Sequence, residues 1–574
     1  MKRFCFTAAV FALAFATRLG GPRTVGPFDD AYHLKRIGYV CGCAVPRLRG
    51  SAVALAPHDR ATTHGLVSLD FDADRGERGA FCPWPPLYDL AMGGIARIAG
   101  MGSIIWIAPL LFAAFAALLA HGAAIRWGMT SGLVAGCGVA LSPYLIGISR
   151  VASIDHHWVE PMLVAAIVIA VVRRNAAALA AAMTAALFVQ TALVVACGLA
   201  LIAIVLLDRG RPALRAGVIA FSIAAAAVAL YRLTRPSGYP DGPWFLGTTH
   251  AALLAAAALS CAIAWFLLSR RQRIEGAPDE GRATNAESWI ALACGAIALI
   301  PFAHTLASGA HFFSGDPWLR SIVEFQPMFR DPTRIGTDLA NLGGGVIALL
   351  LCAIGARGSA AAPCGRNGRI LWLFAVAYLL LSISSRRFLV PGIVLFVMAG
   401  AIAAASRNRL IRAAAVLLTL APPVAYDLHA LAHPEPRPSE PVVALAAEIA
   451  PLPPGRVLAP WHAGHAIDVF GTHAVVIDNF GSMPDAAAFA SANTALLESS
   501  PAALAAWCRV RGVRYLALAD PDQHLPAAAA CAGLDPHLYA RTPLARHTVW
   551  ARLWRGEPLF VPVAPHVWKT SAEY

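Results

Sequence analysis

The chain has 574 residues, of which 58% are hydrophobic and only 14% charged, with a mean hydropathy of +0.61. A soluble domain carries roughly 25% charged residues, so this composition excludes an ordinary water-soluble enzyme. The net charge of +13 is no sign of nucleic-acid binding, because most of the arginines lie in short clusters between apolar blocks, where membrane topology wants them.

The apolar blocks approach the length that crosses a bilayer, about 17–25 residues. The first, 5–19, follows Lys2-Arg3 and has the look of a signal peptide, but no small-residue cleavage site follows it. It reads as an uncleaved first helix with a cytoplasmic N-terminus. Further spans are expected at 102–126, 130–149, 158–172, 176–190, 191–207, 213–231, 245–269, 288–307, 341–356, 370–385, 388–405 and 411–425, about thirteen helices in all. Alternation then places Arg126, Arg173-Arg174, Arg209/Arg211/Arg215, Arg270/Arg271/Arg273, Arg357/Arg366/Arg369 and Arg407/Arg409/Arg412 in inside loops. Every one is basic, as the positive-inside rule requires. Joining 176–207 into one helix would put the later clusters outside, so two helices are expected there.

The same alternation puts 20–101, 153–157, 308–340 and everything after about 426 on the opposite face. Residues 44–66 read as a flexible insertion. The C-terminal part opens with a Pro-rich linker at 433–438. Strand-like runs at 456–459, 474–477 and 513–519 follow, separated by Ala-rich helical stretches. The expectation is a polytopic α-helical membrane domain, 1–425, and an extracytoplasmic α/β domain, 426–574. High Ala and Arg content with compact loops suits a bacterial inner (plasma) membrane, with the outer loops on the periplasmic side. The cysteines show no framework: Cys41-Gly42-Cys43 is too tight for zinc, and most others sit in apolar stretches. Cys508 and Cys531 could form a disulfide in an oxidising compartment.

The ionisable motifs gather on the outer face. Asp29-Asp30 follows the first helix, and interfacial carboxylates are functional suspects, although Asp also caps helices. Asp155 and His157 are two apart, so an extended backbone turns both toward one cation; oxygen plus imidazole suits Mn²⁺ or a related ion. Glu160 points into the next helix and reads as structural. Glu324 is a lone acid in Ser321-Ile322-Val323-Glu324-Phe325-Gln326-Pro327. Arg386-Arg387-Phe388 runs against the positive-inside trend, either to bind phosphate or to reach lipid head groups.

Together, in this order on one face, these motifs resemble those of the catalytic subunits of oligosaccharyltransferases, membrane glycosyltransferases of the GT-C class, over 28–521. Asp29-Asp30 looks like that family's first acidic motif, Asp155-His156-His157 its second, the Glu324 segment its mobile outer-loop motif, and Arg387-Phe388 its pyrophosphate-holding step. Pro83-Trp84-Pro85-Pro86-Leu87-Tyr88 is also similar. One motif departs: where the family has Trp-Trp-Asp-Tyr-Gly, this chain has Pro460-Trp461-His462-Ala463-Gly464, which removes the acid that reads the hydroxyl of an Asn-x-Ser/Thr acceptor.

The resemblance implies a single-subunit enzyme moving a glycan from a polyprenyl-(pyro)phosphate lipid to a polypeptide acceptor. Asp30, Asp155, His157 and Glu324 would hold Mn²⁺ or Mg²⁺, Asp30 and Glu324 would act on the acceptor, Arg387 would bind the donor phosphate, and Trp461 and His462 would meet the acceptor. Two other readings compete: a transporter or flippase of a lipid-linked or anionic substrate, and a GT-C enzyme moving single sugars from polyprenyl monophosphate. A transporter would set its charges near the bilayer midplane, where the expected spans hold almost none.

Overall fold

The computed structural model describes residues 2–20, 25–42, 47–49, 52–54, 69, 71–76, 79–275, 281–342, 365–432 and 440–570. Among these, eight helices are long and apolar enough to cross a bilayer, or ten if each of two bent pairs is one span. The expected thirteen are therefore not seen. The N-terminal helix Lys2–Arg18 has 17 residues, at the lower limit for a crossing, and Ala176–Val189 has 14, short of it; the span expected at 341–356 lies mostly outside the described residues. The bent pairs are Met129–Ala140 with Pro143–Ser149, at 55°, and Asn285–Ala298 with Ile300–Ala310, at 48°. In each the second helix begins at or beside a proline, Pro143 or Pro301, whose missing N–H interrupts the helical ladder. Between 176 and 207 the chain does break, at Gln190, whose backbone is extended.

Small residues let the helices approach closely. A Cβ on Gly136 would lie 2.7 Å from both Ala120 and Val10, so three helices meet there at backbone distance, the usual solution where lipid removes the hydrophobic drive between helices.

The C-terminal part carries a four-stranded mixed sheet. Its strands are β1 (Arg456–Leu458), β2 (Val513–Ala517), β3 (Val561–Ala564) and β4 (Val567–Lys569), in the order β1-β2-β4-β3. β1 and β2 are parallel; the other pairs are antiparallel. The run expected as a strand at 474–477 makes only isolated bridges, from Val475 to Val457 and to Arg75. The Pro-rich linker at 433–438 lies outside the described residues, as does most of the 44–66 insertion, of which 47–49 pairs with 52–54. Cys508 and Cys531 are free thiols buried in one apolar cluster. Burial pushes both up to about 12. The disulfide considered for them is not formed.

Two buried ion clusters tie this part to the first outer loop. Lys35 Nζ lies 2.8 Å from Asp72 and 2.8 Å from Asp468. Arg75 donates to both oxygens of Asp478, and its guanidinium lies 4.1 Å from the ring centre of Phe480 and 5.0 Å from that of Tyr32.

Candidate active site

Asp29 and Asp30 open the helix Asp29–Cys41, where the helix dipole favours negative charge. Asp30 Oδ1 accepts the backbone N–H groups of Ile154 (2.6 Å) and Asp155 (2.8 Å). One carboxylate therefore clips the first acidic motif to the second, 124 residues on. Burial, with the charge of Asp155 adding to it, pushes the Asp30 carboxyl up to about 6.

Asp155 has the extended backbone the sequence reading needed (φ −67°, ψ 143°), and its Oδ2 lies 3.2 Å from His157 Nε2. Burial would raise its carboxyl, but His157, His156 and His33 outweigh that and hold it well below the usual carboxylate range. Asp29, Asp155 and His157 each offer one ligand atom, all within 4.8 Å of one another. Asp30 and Glu324 belong to no such group of three among the described residues. The member of the Asp29-Asp30 pair in that group is Asp29.

Glu160, read as structural from the sequence, pairs beyond its own helix. It accepts from Arg387 Nη2 at 2.5 Å and faces His157 Nδ1 at 2.9 Å. Arg387 follows the break at Ser385 and is buried; its Nη1 has no hydrogen-bond partner among the described residues. That leaves one face of the guanidinium for a ligand anion.

Glu324 sits on the short 3-10 turn Val323–Phe325. This turn is fastened to the Arg387 step: Ser385 Oγ donates to the Glu324 carbonyl (3.3 Å), and Arg386 N–H to the Gln326 carbonyl (3.0 Å). Arg386 is itself paired with Asp338, both bonds 2.9 Å. Burial pushes the Glu324 carboxyl up against the pull of His157 and Arg387.

Trp461 and His462 lie on the turn Trp461–Ala463. Trp461 packs 6.2 Å from Trp318, in an apolar cluster shared with Ile322 and Phe325 of the Glu324 loop. His462 stacks on His524 at 4.2 Å, and burial pulls its imidazole down to about 3, so it is neutral. Gly481 holds the arrangement: its φ is +55°, and a Cβ there would strike the Trp318 ring. Three residues beyond His462, His465 is buried with Nδ1 3.6 Å from Asp29 Oδ1 and stacks on Tyr32 at 4.9 Å.

Several site residues escaped the sequence reading. His33 lies four residues after Asp29, on the same helical face. Its ring stacks on Trp84 (4.3 Å), its Nδ1 is 2.6 Å from Asp89, and its Nε2 is 2.8 Å from His156. Arg36 Nη1 lies 2.6 Å behind, on the other oxygen of Asp89. Tyr88 donates to the Ile154 carbonyl at 2.5 Å and accepts from Trp158, so the Pro-Trp-Pro-Pro-Leu-Tyr segment forms the floor of the site. Trp84 and Tyr88 stood in the 83–88 segment already noted for its resemblance; for His33 only the i, i+4 spacing with Asp29 was available in advance, and nothing pointed to Asp89 or Arg36.

No family model and no curated protein matches the chain. Solved structures do. An archaeal oligosaccharyltransferase, AglB from Archaeoglobus fulgidus, in complex with an inhibitory peptide and a dolichol-phosphate, aligns with a TM-score of 0.73 at 14% identity, over 96% of this chain and 77% of that one. This chain has an oligosaccharyltransferase-type fold. The apo form of the Archaeoglobus fulgidus enzyme aligns with a TM-score of 0.69 at 14% identity, over 93% and 72%. Its form tethered to an acceptor peptide with the NVT sequon gives 0.64 at 14% identity, over 93% and 71%.

Proposed function

We propose that the chain is a membrane glycosyltransferase that moves a glycan from a polyprenyl-(pyro)phosphate lipid to a polypeptide side chain, with Mn²⁺ or Mg²⁺ bound. The observation that carries this reading is the convergence of four distant stretches on one point: Asp29-Asp30, Asp155 with His157, Glu324, and Arg387 with Glu160. The oligosaccharyltransferase-type fold, and the peptide and dolichol-phosphate bound by AglB, support it.

Asp29, Asp155 and His157 would hold the cation, with Asp30 and Glu324 beside it; carboxylate oxygen with imidazole is a donor set such ions accept. When bound, the cation supplies Lewis-acid neutralisation of the departing pyrophosphate. Arg387, oriented by Glu160, turns its free Nη1 toward the same phosphate oxygens. Asp30 Oδ2 and Glu324 accept hydrogen bonds from the attacking nitrogen and orient it. An amide is a weak nucleophile, so positioning carries much of the rate. His462, neutral and beside Trp461, can accept or donate one hydrogen bond to the acceptor, where a carboxylate could only accept.

The division at 425/426, a single-subunit enzyme, and an inner-membrane location with the site and C-terminal part on the periplasmic face belong to the same proposal; the arginine pattern supports that orientation. The decisive experiment is in vitro transfer from lipid-linked oligosaccharide to peptides, with and without Mn²⁺, for wild type, Asp155→Ala and Glu324→Ala. Turnover that needs metal and is lost in both variants is expected. Metal-independent turnover, or full activity in both variants, refutes the assignment.

A further inference from the structure

Behind the proposed cation site lies a second triangle of donors, which the mechanism above does not use. His33 Nε2 is 2.8 Å from His156 Nδ1, His156 Nδ1 is 3.0 Å from Asp155 Oδ1, and His33 Nε2 is 3.6 Å from Asp155 Oδ1. Three donors bound at about 2.1 Å to one ion lie about 3 Å apart at octahedral angles and about 3.4 Å apart at tetrahedral ones. The three sides, 2.8, 3.0 and 3.6 Å, bracket that range, so an ion would draw His33 and Asp155 slightly together and part the two imidazoles. Asp155 Oδ1 is buried, with the nitrogens of the two imidazoles as the near neighbours given above.

Both rings are buried, with side chains 1% and 0% exposed, and each has its far nitrogen held. Asp89 takes the Nδ1 proton of His33 and is itself paired with Arg36, which leaves the Nε2 lone pair facing the triangle. Gln190 Nε2 lies 3.0 Å from His156 Nε2; for His156 to ligate through Nδ1 this amide must rotate to present its oxygen, which would take the Nε2 proton. A carboxylate or amide behind each ligating imidazole is how metal sites fix the ring and its tautomer.

Charge points the same way. Among the described residues, six carboxylates crowd this region, Asp29, Asp30, Asp89, Asp155, Glu160 and Glu324, against the guanidinium groups of Arg36 and Arg387.

We infer that a second divalent cation binds between His33, Asp155 and His156, with the Asp155 carboxylate bridging it to the cation at Asp29 and His157. The second ion keeps Asp155 fixed between the two sites and adds positive field where the phosphate charge develops. Two imidazoles make this site the softer of the pair, so it takes Mn²⁺ and discriminates against Mg²⁺. The inference rests on the glycosyltransferase reading only through the first ion.

The test is stoichiometry. The full chain, purified in detergent and stripped of metal, is dialysed against Mn²⁺; bound metal is counted by elemental analysis, and coupling between ions is read from the electron paramagnetic resonance spectrum. Two coupled Mn²⁺ per chain are expected in wild type, and one uncoupled ion in His33→Asn and His156→Asn. Asp89→Asn should keep both sites but weaken the second about 10–100-fold. One ion in wild type overturns the second site and leaves a proton shared between the imidazoles. Two ions that persist in both histidine variants overturn the assignment of these ligands. No ion at all overturns this inference together with the metal-dependent reading. The wild-type count stands even if a variant fails to fold.

Discussion

Arg75 offers the sharpest test of how the C-terminal part is held against the membrane-embedded site. Its side chain is buried, donates to both oxygens of Asp478, and faces the rings of Phe480 and Tyr32. Arg75→Met keeps the length and removes the charge, leaving Asp478 buried without its partner, an event that costs about 3–5 kcal/mol. At about 4 kcal/mol the local opening equilibrium shifts roughly a thousandfold. The Val475 amide reports it, because it donates to the Asp74 carbonyl beside Arg75 at 2.9 Å; its hydrogen exchange should accelerate by about that factor. Arg75→Met with Asp478→Leu should recover most of the loss, since neither charge is then stranded.

The pair also makes a pH prediction. Burial raises the Asp478 carboxyl, but Arg75 and His465 outweigh it and leave the group below its ordinary value. Its stabilisation is therefore complete above the usual carboxylate pKa of about 3.9 and is lost as pH falls through the lower folded value. In Arg75→Met that acid-side loss should vanish. An opening cost below about 1 kcal/mol in the single variant, or a double variant no better than the single, refutes the reasoning.

Three further outcomes are expected. Gly481→Ala forces a Cβ into Trp318 at a positive φ, so it should lower thermal stability by at least about 1 kcal/mol and reduce transfer by displacing the Glu324 loop; a wild-type melting temperature would contradict the packing described. Glu160→Gln strands the Arg387 guanidinium, so it should raise KM for the lipid donor more than for the peptide; equal effects on both would remove Arg387 from the donor site. Chelation with EDTA should abolish transfer and Mn²⁺ restore it in wild type, whereas Asp155→Asn should not recover at any Mn²⁺ concentration that saturates wild type; recovery would show that Asp155 is not a ligand.

How much of this was legible in the sequence follows from where burial charges a cost. Asp29-Asp30, Asp155, His157, Glu324 and Arg387 stood out because ionisable groups at the ends of apolar blocks are expensive without a purpose. The helices were legible for the same reason, but not their lengths. Lys2–Arg18 and Ala176–Val189 lie close to the runs expected at 5–19 and 176–190, and the break expected after 190 falls at the extended Gln190; what composition could not record is how far each run continues as one unbroken helix. The β3–β4 hairpin was missed because Pro562 and Pro565 lower the strand signal of a short edge pair. Cys508 and Cys531 looked like a bridge only while their compartment was the sole argument.

The pairings that matter most could not be read at all. Glu160 opens an apolar helix, where an acid is already explained by the helix dipole, so nothing local distinguishes it from a cap. Its partner is Arg387, 227 residues away. Asp89 is likewise an acid in the first turn of a helix, yet it is fully buried between Arg36 and His33. In both cases the residue type satisfies a local rule, and the fold then gives it a second, stronger use. Local rules therefore undercount function where they are best obeyed: a single acid that already caps a helix draws no suspicion, and even Glu324, a lone acid in an outer loop, stood out only through the motif it shares with a known family. A search for site residues in such chains gains most from testing the well-behaved helix-capping acids against distant arginines and histidines on the same face of the bilayer.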